Sequence, residues 1–139
     1  MLEPQRSQGT TEEIIWGLTV DDRILFVEHK GRQILLLDYS HATAPQMQLL
    51  LELVRVTIAQ HSRESLLTLA DFTGAEVDRA VATRIKEVLT LDRPFVKKTA
   101  WVGTEHIPHA FMESFHTFSQ RAIATFKTRE EALDWLVEG

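Results

Sequence analysis

The stretch that most restricts the fold is residues 65–89, SLLTLADFTGAEVDRAVATRIKEVL. Its first part is apolar at nearly every position, without the apolar/polar alternation of a half-buried strand. A strand of that kind must be covered on both faces, as a parallel strand inside an α/β sheet is. Asp71 closes the run and a short turn containing Gly74 follows. The period then changes. Val77, Val81, Ile85, Val88 and Leu89 recur at helical spacing, with Arg79, Thr83, Lys86 and Glu87 on the other side.

The same alternation extends in both directions. In RILFVEHKGRQILLLDYS (23–40), the β-rich runs Ile24–Val27 and Ile34–Leu37 flank Lys30-Gly31-Arg32, which predicts a hairpin. Leu25, Val27 and His29 fall on one side of it and Ile24, Phe26 and Glu28 on the other. An earlier strand is expected at Ile14–Leu18. Thr43 and Gln46 form a capping-box pattern with Pro45 in the first turn. The helix they open carries a stripe of Met47, Leu50, Leu51, Val54 and Ile58. Leu49, Leu53 and Val56 widen that stripe, so the helix at 45–60 is expected either to be deeply packed or to touch a second subunit. PFVKKTAWVG predicts a fourth strand. HIPHAFMESFHTFSQ predicts a helix with Phe111, Phe115 and Phe118 on its buried side. AIATF predicts a fifth strand, and TREEALDWLVE a final helix capped by Thr128 and Glu131. The order β-β-α-β-α-β-α-β-α implies an α/β domain with a mixed, mostly parallel sheet of about five strands and right-handed crossovers. Residues 13–139 are expected to form this single domain behind a loose leader at 1–12.

Composition narrows the functional classes. With 139 residues, 44% of them hydrophobic, the chain can bury a proper core. It has no cysteine, which removes disulfides, thiol nucleophiles and Cys-based zinc sites. A net charge of −5 argues against a general nucleic-acid binder. No apolar run approaches the roughly 18–20 residues of a membrane span, and MLEPQRSQGTTEE lacks the layout of a secretion signal. A soluble, cytoplasmic protein is expected. Neither a Gly-rich phosphate loop, nor a G-x-S-x-G elbow, nor a nucleophile with a matched base is present, so no catalytic residue and no cofactor is assigned.

Several side chains still carry chemistry. Asp38 and Asp71 each end an apolar strand, where α/β folds place ligands. They could hold magnesium or perform acid/base work, or each could bond the N–H groups of its own turn, the commoner use. Lys127, after the fifth strand, matches one part of a phosphoacceptor receiver, but the acidic pair on the first strand is missing. His109, Glu113 and His116 have the i, i+4, i+7 spacing of metal ligands, and read equally as a solvated face. Trp101, Phe111, Phe115 and Phe118, with Phe95 and Phe126, either line an apolar pocket or are core. Arg93, Lys97 and Lys98 make a small basic spot that could attract an acidic partner or keep a strand end soluble. Thr73 lies before a helix N-terminus that would accept added negative charge, although the usual role of such a hydroxyl is to cap the turn; Thr83 is a second hydroxyl nearby.

Four segments, LLLDYSHAT (35–43), LLTLADFTGAEVD (66–78), RPFVKKTAWVG (93–103) and ATFKTREEALDWL (124–136), together resemble the STAS family. This is the SpoIIAA-like fold of anti-sigma-factor antagonists, here in a divergent single-domain branch grouped with STAS or CRAL-TRIO-like proteins. The likeness spans residues 24–138 and is most specific at the DFTGA turn and in the last segment. It implies a non-enzymatic regulatory module that binds a protein partner, with a homodimer or an apolar, lipid-like ligand as further options. It places the contact surface at Asp71, Thr73, Gly74, Glu76, Asp78 and Arg79. In switch-type members the helix after this turn opens on an Asp-Ser-x-Gly pattern whose serine is phosphorylated. The corresponding positions here fall at Arg79, Ala80, Val81 and Ala82, so the phosphoacceptor is absent and the charge switch is not expected to operate.

Overall fold

The computed structural model describes residues 20–121 and 123–138. The leader at 1–12 and the strand expected at Ile14–Leu18 lie outside the described residues. A four-residue helix α1 (Val20–Arg23), which sequence reasoning missed, leads into β1 (Ile24–His29) and β2 (Arg32–Asp38). Then follow α2 (Ala44–Ile58), β3 (Leu66–Asp71), α3 (Arg79–Asp92), β4 (Val96–Val102), α4 (His109–Ser119), β5 (Ala124–Phe126) and α5 (Arg129–Leu136).

One five-stranded sheet has the order β1-β2-β3-β4-β5. The β1–β2 hairpin is antiparallel and every later pair is parallel. The tight turn is made by Lys30 and Gly31, both at positive φ, a conformation that glycine adopts without steric cost. Because the strands are laid down in sequence, each crossover steps the same way. Right-handed connections therefore put α2, α3 and α4 on one face, leaving the other to α5.

Side-chain parity confirms the division. Leu35, Leu37, Leu66, Ala70 and Trp101 face α2–α4 and join Met47, Leu50, Val54, Ile85 and Phe115 in the larger core. Ile34, Leu36, Leu67, Leu69, Ala100 and Val102 face α5, where Ala132 and Leu136 cover them. All six residues of β3 are buried, as its unbroken apolar run requires.

Helix starts follow the local chemistry. Thr43 and Gln46 make a reciprocal capping box at α2. Asp78 caps α3 through the Val81 N–H at 2.8 Å, and Thr128 caps α5 through the Glu131 N–H at 3.1 Å. On α2, the five residues of the expected stripe are buried. Leu49 and Leu53 are half-buried, and Val56 is the exposed one of the three that widen the stripe.

The aromatic set divides between the two faces. Tyr39, Phe72, Trp101 and Phe115 form a row on the α2–α4 face, with successive ring centroids 5.0, 4.6 and 5.7 Å apart. Phe126 instead meets Trp135 beneath α5 at 5.7 Å. The expectation that Phe118 lies on the buried side of its helix is corrected. It is 40% exposed, and Lys86 stands over its ring. Phe72 is 1% exposed at the centre of the row. Phe72→Ala is expected to lower stability by about 3–5 kcal/mol, read as a shift in urea midpoint with an unchanged m-value.

Candidate functional site at the strand ends

Asp38 and Asp71 are register partners on adjacent parallel strands. By parity both side chains point to the α5 face. Two carboxylates held side by side repel unless a cation lies between them. That cation is Arg129, the first residue of α5. Its Nε donates to Asp71 Oδ2 at 2.7 Å and its Nη2 lies 3.2 Å from Asp38 Oδ1.

The second oxygen of Asp71 accepts from the Thr73 N–H at 2.9 Å, while Asp38 Oδ1 also accepts from the Ser40 N–H at 3.0 Å. Arg23 closes the far side by donating to the carbonyls of Asp38 and Ser40 at 3.1 and 2.7 Å. Burial would raise the Asp38 pKa, but the bonds from Ser40 and the charges of Arg129 and Arg23 together hold it below the usual carboxylate range. Burial likewise opposes the charge on Arg129, and the two aspartates outweigh it, so its pKa is raised.

Each carboxylate thus bonds its own turn, the bland alternative of the sequence reading. The ion between them comes from the protein. Lys127, which sequence reasoning singled out, is exposed and lines an open cleft with Thr104, Glu105 and Thr125 instead. Among the described residues Arg129 fills the gap between the two carboxylates, and the strand order agrees with that. Ligand crevices open where the order of an α/β sheet reverses, and this order never reverses.

The β3–α3 turn is fastened on three sides. The His41 N–H donates to the Thr73 carbonyl at 2.8 Å, the Glu76 N–H to the Ala42 carbonyl at 2.9 Å, and the Phe72 N–H to the Val102 carbonyl at 2.9 Å. Glu76 Oε1 accepts from the Ala44 N–H at 2.8 Å, at the start of α2. A His106 ring nitrogen sits 2.7 Å from the Ala75 carbonyl. Gly103 has φ +72°, and a Cβ there would come 2.5 Å from the Thr73 nitrogen, so that approach requires glycine.

Of the six residues expected to form a contact surface, Asp71 is corrected. It is 6% exposed and committed to Arg129 and the Thr73 N–H, so it shapes the turn from inside. Thr73, Gly74, Glu76, Asp78 and Arg79 are exposed. Glu76 and Asp78 already cap helices. The Thr73 hydroxyl makes no hydrogen bond among the described residues, so Asp71, and not Thr73, caps this turn. Thr83 donates its hydroxyl to the Arg79 carbonyl at 3.1 Å.

The remaining candidates do not converge. His109 lies 3.2 Å from Glu113 in an exposed pair, and among the described residues no three His, Asp or Glu side chains gather around a common point. Lys98 lies over the Trp135 ring and donates to the Trp135 carbonyl at 2.8 Å, closing the end of α5. Arg93 donates to the Phe118 carbonyl at 2.9 Å. The basic spot is therefore dispersed.

A partly open cavity of about 50 Å³ does exist, under α2 and α3. Trp101 lines it, whereas Phe111 and Phe115 line a separate cleft between α3 and α4 with Arg79, Thr83 and Lys86, and Phe118 lines a shallow one with Thr90 and Leu91. The unusual member of the cavity is Asp92, in the last turn of α3 and 8% exposed. Burial pushes the Asp92 pKa up to about 7, with Arg55 pulling the other way. Burial, with the Asp92 charge, also raises the Tyr39 phenol.

No family model matches this chain, and no curated protein does. One solved structure is similar, that of an uncharacterized DUF3478-family protein with a SpoIIAA-like fold from Shewanella loihica PV-4. The TM-score is 0.62 at 16% identity, over 81% of this chain and 91% of the other. At that identity the likeness speaks to architecture: the chain has a SpoIIAA-like fold. Among the described residues no helix is long and apolar enough to cross a membrane.

Two predictions follow from the geometry. Arg129→Gln leaves two adjacent carboxylates unneutralised and is expected to cost about 1–3 kcal/mol. The Asp38 pKa is depressed from 3.8, so its contribution is complete above that value and is lost as pH falls through the folded pKa. The gap between wild type and Arg129→Gln in urea unfolding should therefore narrow below about pH 4. Asp92 has the opposite sign. Its raised pKa means the folded state holds a proton that the unfolded chain has lost, so stability falls as pH rises from 3.8 to about 7. Asp92→Asn should flatten that decline and be about 1–3 kcal/mol more stable than wild type at pH 8, as read from unfolding curves at pH 5 and 8.

Proposed function

We propose that this chain is a non-enzymatic regulatory module of the STAS type that binds a partner protein at the β3–α3 turn and the head of α3. One observation carries the reading. The turn is fixed by backbone bonds to the loops on both sides, while the side chains of Thr73 and Arg79 are left exposed and without bonds among the described residues. A surface held rigid before contact loses little freedom on binding. The SpoIIAA-like fold supports the reading as an analogy of architecture.

Phosphorylation is not the control in this reading. Arg79 and Ala80 are exposed, Val81 and Ala82 are buried, and none of them carries a hydroxyl. Should the partner be a second copy, α2 offers Val56 as its exposed apolar side chain, and sedimentation at several concentrations reads that directly.

The direct test is the double variant Arg79→Glu with Ala80→Glu. It leaves Glu76 and Asp78 in place, because both cap helices. Recovery of the partner in a quantitative pull-down is expected to fall at least about tenfold, roughly 1.4 kcal/mol, with an unchanged thermal midpoint. Unchanged recovery would remove this surface from consideration. Stoichiometric phosphate within residues 73–83 that alters partner affinity would overturn the constitutive reading.

A second reading, a carrier or sensor of a small apolar ligand, is favoured by the apolar-walled cavity under α2 and α3.

A further inference from the structure

The cavity lies between the sheet and two helices. Leu51 and Val54 come from α2, Ile85 and Val88 from α3, and the Thr68–Thr99 pair from the sheet. At about 50 Å³ it exceeds by several-fold the ~10–15 Å³ that one water needs on this measure. Its walls are almost wholly hydrocarbon, and the polar groups around it are nearly all committed. Thr68 donates to Thr99 at 2.8 Å. Arg121 is spent on the carbonyls of Val96, Lys97 and Arg93. Ser119 bonds the His116 and Arg121 carbonyls.

Two groups are the exceptions, the Tyr39 phenol and the one carboxyl of the lining, Asp92. Asp92 is more than nine-tenths buried and lines this space, and its carboxyl has no hydrogen-bond or ion-pair partner among the described residues. Apolar burial of an unpartnered carboxyl is costly, and a donor supplied from outside would offset that cost.

We infer that the cavity is a binding site for a small, mainly apolar molecule carrying one hydrogen-bond-donating head, an ammonium or a hydroxyl, with Asp92 as the group that receives the head. This rests on the second reading above and adds head-group selectivity to it. The groups facing Asp92 are Arg55 of α2, Tyr39 after β2, Arg121 beyond α4 and its own neighbour Arg93. Of these, Arg55 attracts the Asp92 charge and is already bonded to Glu52 at 2.6 Å. A donor head is received best by the ionised carboxylate. Since the Asp92 pKa stands at about 7, affinity should rise with pH through that value, while an alkylammonium, with a pKa near 10, keeps its own charge throughout.

The test is a titration of the full chain, followed by amide chemical shifts, with n-butylamine, n-butanol and diethyl ether. The three probes have the same number of heavy atoms, and only the ether lacks a donor. Saturable shifts are expected at Leu51, Val88 and Thr99, with one donor probe at least about tenfold tighter than the ether at pH 8. The preference should shrink about tenfold by pH 6, lose its pH dependence in Asp92→Asn, and vanish in Asp92→Leu, which removes the acceptor. Whichever donor probe is tighter identifies the head. Equal binding of all three, unaffected by pH or by the Asp92 variants, would overturn the head-group inference and leave the apolar-ligand reading standing. No saturable shift at the cavity residues with any probe would sink both. The wild-type comparison of ether with amine and alcohol decides even if neither variant folds.

Discussion

The structure is organised around the burial of β3. Six consecutive residues are shielded from water on both faces, and strands on either side take up their backbone groups. Covering two faces of one strand requires two layers of helix, and the chain supplies them unequally. Three crossovers of fixed handedness go to one face, because the strands are added in order across the sheet. The other face receives only the eight residues of α5. The Lys98 ammonium, 4.1 Å from the centre of the Trp135 ring, ties the end of that short cover to β4.

At the carboxyl end of β3 this lopsided layering has an electrostatic consequence. The parity that turns Leu67 and Leu69 toward α5 turns Asp71 the same way, and the parallel register brings Asp38 alongside it. An α/β sheet with a reversing strand order would open a crevice here and admit a ligand. In this sheet the last helix returns over the strand ends and delivers Arg129 into the gap. Asp38 and Asp71, which end their strands where α/β folds place ligands, thereby join the sheet, two loops and the final helix.

The exposed β3–α3 turn and the cavity are both displaced from that centre. The β3–α3 turn rests on Gly103 from the next loop and on His41 from the previous one, so its outward side chains stand on a backbone packed and hydrogen-bonded on both sides. The cavity sits under α2 and α3, away from the Asp38–Asp71 pair and on the opposite face of the sheet. Surface and cavity share α3, which has its head at the turn and its last turn at Asp92. A ligand beneath the helix and a partner at its head would therefore act on one rigid element.

Much of this was legible from residue order. The unbroken apolar run of β3, the Gly31 hairpin, the Thr43–Gln46 box and the helical stripes are local patterns, each set by chemistry within a few residues. The four long helices and five strands follow from them. α1 was missed because four residues hold no period. Phe118 was misplaced because a three-and-four spacing marks one side of a helix without saying how far the neighbouring layer reaches. Neither Arg129 nor Asp92 was singled out in the sequence, where each is one more charged residue at a helix end. Their roles depend on partners 58 and 91 positions away for Arg129, and on a packing gap for Asp92. By itself the sequence determined the elements and their order, since period and capping act through neighbours on the chain. Only the tertiary structure decided which charges meet and which carboxyl is left without a partner, because those outcomes are set by register, handedness and the space between packed layers.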